Sequence, residues 1–311
     1  MKAITIRRYG GPEVLELAER AAPEPGAGEV LVRVRAASVN PIDWQIRDGL
    51  VKMFVRPKFP AVLGADLAGE VVALGAGVTS FAIGDEVFAM MPEDYGAQAE
   101  LVALPAKLVA RKPAKLSMVE AASVPATATT ALHALRDHGK VGPGSEVLIN
   151  GASGGVGIFA VQIAKDLGAR VTAVCGAANA ALVRELGADA VIDYKATDFT
   201  KGTKKFDVIL DAVGNAPYHA CKAVLRGAWV HITLQPRPRT FLRSFFNRFT
   251  KGKVVPMIAE ASANRIEYIR GHLEAGTLRT VVDRVLPAAA VAEAQAHSKS
   301  GRAKGKIVLT F

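Results

Sequence analysis

The chain has 311 residues and a formal net charge of +10, a length that suggests about two domains. Hydrophobic residues make up 50% and charged residues 22% of the sequence, which excludes a disordered chain, a collagen and a coiled coil. The two cysteines, Cys175 and Cys221, are too few for a disulfide framework or a four-cysteine zinc site. The positive excess lies after residue 199, where 19 basic side chains face 7 acidic ones. A general nucleic-acid-binding surface is therefore not expected.

No apolar stretch approaches the roughly 18 residues that span a bilayer. The N-terminus lacks the apolar core and the cleavage site of a signal peptide. We therefore expect a cytoplasmic protein.

The first 110 residues predict an all-β domain, since short runs rich in valine and isoleucine alternate with glycine and proline. A capping-box pair, Ser117 and Glu120, then marks the start of a helical stretch. The predicted strands of this part are 29–39, 67–75, 85–91 and 99–105.

After residue 117, strands and helices alternate, and the strands are nearly continuous apolar runs. This pattern predicts an α/β fold with a doubly wound parallel sheet. The last strand could pair with either domain. The predicted strands are 146–150, 170–176, 190–194, 206–213, 228–234, 280–286 and 305–310, and the predicted helices are 157–168, 179–188 and 264–275.

A glycine-rich loop, 151–157, lies between a predicted strand and a predicted helix. Glycines in this context let the backbone approach a pyrophosphate, and the helix N-terminus offers it free N–H groups. Ala152 stands where the first glycine of the usual pattern would be. The loop predicts dinucleotide binding; the alternative is a glycine-rich turn without a ligand.

The cofactor is expected to be NADPH rather than NADH. An NAD site usually has an acidic residue at the end of the second strand, whereas residues 174–179 contain none. These residues contain no basic side chain either, so a positive charge that binds the 2′-phosphate of NADPH must come from elsewhere. The candidate is Lys195, beside Tyr194.

Five stretches resemble the medium-chain dehydrogenase/reductase superfamily, and specifically its zinc-free quinone oxidoreductase branch, over essentially the full length. Within that branch, 175–177, 186–189 and 193–195 are most similar to the chloroplast-envelope homologues and their bacterial relatives. The five stretches are 10–15, 39–43, 63–71, 84–87 and the glycine loop.

This resemblance implies three parts and an active site in the cleft between two domains. Residues 1–117 would form a GroES-like catalytic domain and 118–258 a Rossmann dinucleotide-binding domain. Residues 259–311 would return to the catalytic domain. Relatives of this kind also imply a homodimer.

The positions of the catalytic zinc ligands in the superfamily hold Asn40, Ala65 and either Pro125 or Ala126, with Asp66 in place of a glutamate. None of these replacements ligates zinc as a thiolate or an imidazole does, so no metal is expected. Without a Lewis acid, oxidation of an alcohol is disfavoured.

The implied function is NADPH-dependent hydride transfer to a quinone or to the C=C bond of an α,β-unsaturated carbonyl. The alternative is a non-catalytic NADPH-binding protein, either crystallin-like or regulatory. A third, less favoured interpretation is an adaptor for nucleic acid or membrane.

Asn40 is the candidate catalytic residue, because its amide can donate to a developing oxyanion; alternatively, it shapes the turn before Pro41. Trp44 and Tyr95 are candidate walls of an apolar substrate slot, with core packing as the alternative. Asp66 is interpreted as a structural carboxylate, with a proton relay as the alternative. The residues expected at the cofactor are Thr130 (alternatively a helix-surface hydroxyl), Ser153, Gly154, Gly155, Val156, Gly157, Cys175, Gly176, Tyr194, Lys195 and Val213.

Residues 236–253, here called the basic segment, contain six basic and no acidic residues, with phenylalanines at helical spacing. The favoured interpretation is that the phenylalanines pack against the domain or a dimer partner. The alternatives are attraction to membrane or nucleic acid, and a role at the 2′-phosphate or substrate.

Overall fold

The computed structural model describes residues 1–92 and 95–311. They form two compact units: unit 1 consists of 1–129, 260–276 and 280–311, and unit 2 of 130–259 and 277–279. The division falls after Thr129, later in the chain than the predicted boundary at 117, and most of the C-terminal residues belong with the N-terminal ones.

Unit 1 is a β-structure with few helices. A small sheet has the order β2-β1-β4, and a larger one has the order β15-β16-β3-β5-β6-β8, with β7 also paired to β3. The strands are β1 Lys2–Ile6, β2 Leu15–Glu19, β3 Glu29–Val39, β4 Ala61–Val62, β5 Asp66–Leu74, β6 Glu86–Met90, β7 Leu101–Pro105, β8 Val109–Arg111, β15 Val282–Pro287 and β16 Lys306–Thr310. Its helices are α1 Pro41–Arg47, α2 Met118–Ala122, α8 Ala263–Ala275 and α9 Val291–Lys299.

The long strand β3 shows why this sheet forms. Val30, Val32 and Val34 are buried, whereas Arg33 and Arg35, which follow Val32 and Val34, are exposed. This is the two-residue alternation of a strand with one face on a core. β16 pairs antiparallel with β3, which answers the question of its partner that the sequence left open.

The predicted capping box is confirmed, since Ser117 Oγ accepts from Glu120 N–H and the Glu120 carboxylate accepts from Ser117 N–H. The helical stretch after it is interrupted, however. Helix α2 ends at Ala122, and α3, Pro125–Leu132, begins at a proline, which has no N–H to continue a preceding helix. A π-helical turn, His133–His138, follows α3.

Unit 2 contains the predicted parallel sheet, with strand order β11-β10-β9-β12-β13-β14 and every pairing parallel. The central strand β9 is buried along Val147, Leu148 and Ile149, as expected for a strand covered on both faces. The strands are β9 Glu146–Asn150, β10 Arg170–Cys175, β11 Ala190–Asp193, β12 Phe206–Asp211, β13 Leu225–Thr233 and β14 Lys253–Pro256; the helices are α4 Gly155–Asp166, α5 Ala180–Glu185, α6 Tyr218–Cys221 and α7 Pro238–Phe245.

The two units confirm the α/β class, with a GroES-like β-domain and a Rossmann sheet. Within the described residues, no helix combines the length and the apolar character needed to cross a bilayer.

Candidate functional site

The glycines of the loop have different structural tasks. Gly151 follows β9 with φ of +82°, a left-handed conformation, and a Cβ there would lie 2.6 Å from a methyl carbon of Val213. A Cβ on Gly157 would lie 2.1 Å from the carbonyl oxygen of Gly151, so no other residue fits between α4 and the loop. Gly154 differs: its φ is −84°, and a Cβ there would meet only the Gly151 oxygen, at 3.4 Å. The fold therefore requires Gly151 and Gly157 but not Gly154.

Helix α4 begins without a capping side chain. Its N-cap is Gly154, and its first helical hydrogen bond runs from Ile158 N–H to Gly154 O at 3.0 Å. The N–H groups of Gly155, Val156 and Gly157 precede that bond and have no partner inside the helix. They lie at the positive end of the helix dipole, where a phosphate binds favourably. With no side chain on Gly154 to obstruct it, this helix end fits a dinucleotide pyrophosphate.

The structure ties the loop to its surroundings through Asn179, Asn150 and Asp211, which the sequence analysis did not assign. Ser153 Oγ accepts from Asn179 Nδ2 at 3.0 Å, which links the loop to the segment after β10. Asp211, at the end of β12, accepts from Asn150 Nδ2 at 2.9 Å and from backbone N–H groups of the following turn, which includes Val213. An acidic residue that directly follows the apolar run 208–210 of β12 was the signal for Asp211.

The residues expected at the cofactor after the second strand of the parallel sheet lie at the edge where β10 and β11 end. Cys175 pairs with Asp193 across these strands, and a Cβ on Gly176 would lie 3.6 Å from the Tyr194 ring. Tyr194 is 58% exposed, and Lys195 is exposed next to it. Cys175 is buried, and burial raises the pKa of its thiol. The structure thus brings Cys175, Gly176 and Tyr194 together, with Lys195 following.

Thr130 lies in α3 and is 7% exposed. Its neighbours Thr127 and Thr129 donate their hydroxyls to carbonyl oxygens of the preceding turn. The hydroxyl of Thr130 makes no such bond within the described residues, which argues against the alternative of a helix-bonded hydroxyl.

In unit 1, two of the positions that correspond to the superfamily's zinc site, Asn40 and Asp66, lie in a polar network with Lys306. Asn40 follows β3, Asp66 begins β5 and Lys306 begins β16, and these strands are neighbours in the sheet. Asn40 Nδ2 donates to Asp66 Oδ2 at 2.8 Å, and Asn40 Oδ1 accepts from Lys306 Nζ. The Lys306 ammonium also lies 3.6 Å from Asp66 Oδ2.

Asp66 is fully buried and saturated with donors. Its carboxylate also accepts from the hydroxyl of Ser38 and from the backbone N–H of Ala126. This arrangement fits the structural role expected for Asp66. We call Ser38, Asn40, Asp66 and Lys306 the polar network.

The donor set of these positions does not fit zinc. Asn40 Oδ1 already accepts from an ammonium, whose charge would repel a second cation. Ala65 and Ala126 present only methyl groups, which with Met90 form an apolar patch. Within the described part of the chain, no three His, Cys, Asp or Glu side chains are grouped as metal ligands.

The amide of Asn40 is committed to this network. One contact of Nδ2 is with Asp66 at 2.8 Å, and the other is with Ser38 Oγ at 3.3 Å. Its backbone also caps α1, because Asn40 N–H donates to Asp43 Oδ2 at 2.8 Å. These contacts support the structural interpretation of Asn40; its role towards a substrate stays a prediction.

A buried carboxyl, Asp43, adjoins the network. Oδ2 accepts from Asn40 N–H and from Gln98 Nε2, whereas Oδ1 has no hydrogen-bond partner in the described structure. Burial raises the pKa of Asp43 to about 7 and lowers the pKa of Lys306. The sequence analysis missed Lys306, Asp43 and Gln98 as members of this site. A lysine at the start of the apolar strand β16 was the available signal.

The two aromatic candidates lie in different surroundings. Tyr95 packs against the apolar patch of Ala65, Met90 and Ala126. Trp44 lies under the Lys299 ammonium, 5.5 Å from the ring centre, and its indole Nε1 has no hydrogen-bond partner in the described structure. Of the two, Tyr95 contacts this apolar patch; the role of either residue as a wall of a substrate slot stays a prediction.

Comparison with known proteins agrees with this architecture. Residues 26–114 match the alcohol dehydrogenase GroES-like domain family, and residues 186–309 match the zinc-binding dehydrogenase family. The chain is 36% identical to a chloroplastic quinone-oxidoreductase of Triphysaria versicolor, over 99% of this chain and 98% of that protein.

Two solved structures are similar over the whole chain. The quinone oxidoreductase of Coxiella burnetii has a TM-score of 0.90 at 29% identity, covering 100% of this chain and 99% of the other. A mycobacterial protein complexed with NADPH has a TM-score of 0.85 at 26% identity, covering 100% of both chains. The chain therefore belongs to the quinone oxidoreductase family of the medium-chain dehydrogenase/reductase superfamily, a family of NAD(P)H-dependent oxidoreductases.

Proposed function

We propose that this oxidoreductase transfers a hydride from NADPH to a quinone or to the C=C bond of an α,β-unsaturated carbonyl, without a catalytic zinc. The observation that carries the proposal is made at the positions of the superfamily's zinc ligands. Asn40 there binds the Lys306 ammonium, and Ala65 with Pro125 or Ala126 offers no metal ligand. A conjugated acceptor spreads the incoming charge over its own π-system, so it needs no Lewis acid. An alcohol substrate would need one to form its alkoxide.

The preference for NADPH follows from charge and space at the end of β10. A carboxylate there would repel a 2′-phosphate, and residues 174–179 contain none. Gly176 leaves room beside the exposed Tyr194, whose hydroxyl can donate to a phosphate, and Lys195 adds a positive charge. The similar mycobacterial protein was solved with NADPH. NADPH, when bound, supplies the hydride; the helix end of α4 binds its pyrophosphate.

On the substrate side, the apolar patch with Tyr95 suits the face of a flat, conjugated molecule. Asn40 would donate to the substrate oxygen. Because the Lys306 ammonium polarises its carbonyl end, the Nδ2–H groups become stronger donors. The longer contact of Nδ2, at 3.3 Å to Ser38, is the one that a substrate oxygen would replace.

The test is NADPH oxidation by the purified chain with a simple benzoquinone and with a conjugated aldehyde, each with and without a metal chelator. We expect turnover with at least one acceptor, unchanged by the chelator and slower with NADH. No turnover with either acceptor, despite NADPH binding, would support the non-catalytic alternative. Loss of activity in the chelator would contradict a zinc-independent mechanism.

A further inference from the structure

The basic segment exposes an apolar face. Helix α7 and the 3₁₀ turn Phe246–Phe249 carry Leu242, Phe245, Phe246 and Phe249 at helical spacing, and these side chains are 66%, 65%, 47% and 69% exposed. Of the expectation that the phenylalanines pack against the domain or a dimer partner, the first part is therefore wrong for Phe245, Phe246 and Phe249, and the second part stays a prediction. A contiguous exposed patch of this kind indicates an interaction surface.

Positive charge surrounds this face. Five basic side chains of the segment are exposed, and the segment contains no acidic residue. The Arg248 guanidinium lies over the rings of both Phe245 and Phe249, at 5.2 and 4.6 Å from their centres. A cation is thus held beside the apolar side chains. The five exposed basic residues are Arg237, Arg239, Arg248, Lys251 and Lys253.

A cavity of about 520 Å³ opens next to the same face. Arg248 and Lys253 contribute basic groups to its lining, together with His138 and the polar side chains of Ser244 and Asn247. The cavity is large enough for a phosphate-bearing head group, and its basic lining suits one.

Charge complementarity selects the occupant. A second copy of the chain, placed face to face here, would bring six basic residues against six, with no acid in either segment to pair with them. A nucleic acid would neutralise the cations and stack its bases on the phenylalanine rings, but it has no acyl chains to surround a contiguous apolar face that includes Leu242. An anionic lipid surface complements both the apolar face and the positive charge. Its acyl chains contact the apolar side chains, and its head-group phosphates pair with the cations.

We propose that the basic segment is a docking surface for anionic phospholipid bilayers, with Leu242, Phe245, Phe246 and Phe249 inserted at the level of the head groups. The surrounding arginines and lysines bind lipid phosphates, and one head group enters the cavity lined by Arg248 and Lys253. This docking is peripheral and reversible.

The experiment is co-sedimentation of the full chain with vesicles of phosphatidylcholine alone and of phosphatidylcholine with added phosphatidylglycerol. We expect binding to the anionic vesicles only, and a decrease in that binding at high salt. Equal binding to both vesicle types, or binding to neither, would overturn the proposal. So would binding of single-stranded nucleic acid without binding of vesicles.

Two pairs of substitutions test the two components of the surface. Phe245→Ser with Phe249→Ser should lower the partition coefficient on anionic vesicles by at least about tenfold. Arg239→Glu with Arg248→Glu should abolish the preference for anionic lipid. The matched controls in unit 1 are Met53→Ser, at an apolar side chain that is 81% exposed, and Lys115→Glu, at an exposed lysine. Both controls should bind like the unaltered chain.

The result would overturn the proposal if the serine pair bound vesicles normally or if the controls lost as much binding. Sedimentation velocity adds a further criterion, because a serine pair that dissociates an oligomer would show that the face lies between copies of the chain. None of these readouts depends on reductase activity, so failure of the proposed reaction leaves this test intact.

Discussion

The glycine loop of unit 2 and the polar network of unit 1 differ in whether their polar groups already have hydrogen-bond partners. At the loop, four of the seven residues are glycines, and the backbone N–H groups at the start of α4 have no partner inside the helix. In the network, polar side chains of Asn40, Asp66 and Lys306 satisfy one another out of contact with water. The loop thus leaves donors free for a charged ligand, whereas the network fixes its geometry through its own hydrogen bonds, of which the long Asn40–Ser38 contact is the weakest.

The comparison predicts that the network is the more sensitive of the two to the loss of one side chain. Lys306→Met would leave a buried Asp66 carboxylate without its cation, at a cost of about 3–5 kcal/mol in the free energy of unfolding. Urea unfolding at neutral pH measures this. Lys304→Met, at an exposed lysine, is the matched control and should change stability by less than about 0.5 kcal/mol. Equal effects of the two substitutions would show that the network contributes nothing to stability.

A smaller loss of stability is expected at the one loop position where the helix packs most closely. Gly157→Ala forces a Cβ against the Gly151 carbonyl and should cost about 1–3 kcal/mol, since the backbone must shift. Gly142→Ala, in the same unit, meets no atom within 4 Å and should be neutral or slightly stabilising. Thermal unfolding of the two variants gives the comparison, and an undisturbed Gly157→Ala would contradict the packing role.

Gly154→Ala separates ligand binding from folding. Its Cβ meets only one backbone oxygen at 3.4 Å and requires no left-handed conformation, so stability should change by less than about 1 kcal/mol. The same Cβ obstructs the approach of a pyrophosphate, so the Kd for NADPH should rise about tenfold or more. Calorimetric titration measures the affinity. An unchanged Kd would show that the pyrophosphate does not lie against this residue.

The most gradual effect concerns pH. Because the pKa of Asp43 is raised to about 7 in the folded chain, the folded state retains a proton that the unfolded state releases at lower pH. The contribution of this group to stability is therefore complete in acid and decreases as pH rises from about 4 to 7, by at most about 1.4 kcal/mol per pH unit.

Asp43→Asn should remove this dependence. Unfolding free energies of the two proteins at several pH values isolate the carboxyl, because Lys306 and Asp66 are present in both. Parallel pH profiles would show that Asp43 is ionised in the folded chain.

The same contrast explains what the sequence predicted. The glycine loop is local, because seven consecutive residues between a strand and a helix determine its conformation. It could therefore be predicted from the sequence pattern alone. The polar network joins Asn40 to residues 26 and 266 positions away, through strand pairings that no local pattern encodes. The parallel sheet could likewise be predicted from apolar strands, whereas the partner of β16 could not.

Individual side chains show the same limit. Tyr95 and Trp44 were equivalent candidates in the sequence, and only tertiary packing separates the apolar patch around one from the ammonium above the other. The sequence indicates the interruption between helices α2 and α3 through Pro125. The π-helical turn after α3 has no comparable signal in the sequence.

The return of β16 to the sheet of unit 1 has a consequence for biosynthesis. A ribosome would synthesise all of unit 2 before it reached Lys306. Until then β3 and β5 would lack the neighbouring strand β16, and the Asp66 carboxylate would lack its cation. The nascent unit 1 would remain incomplete during that interval, while the parallel sheet of unit 2 could already be assembled. Pulse-labelled nascent chains, stalled on the ribosome before residue 306 is synthesised, should therefore be cleaved readily by protease in unit 1 and resist cleavage in unit 2.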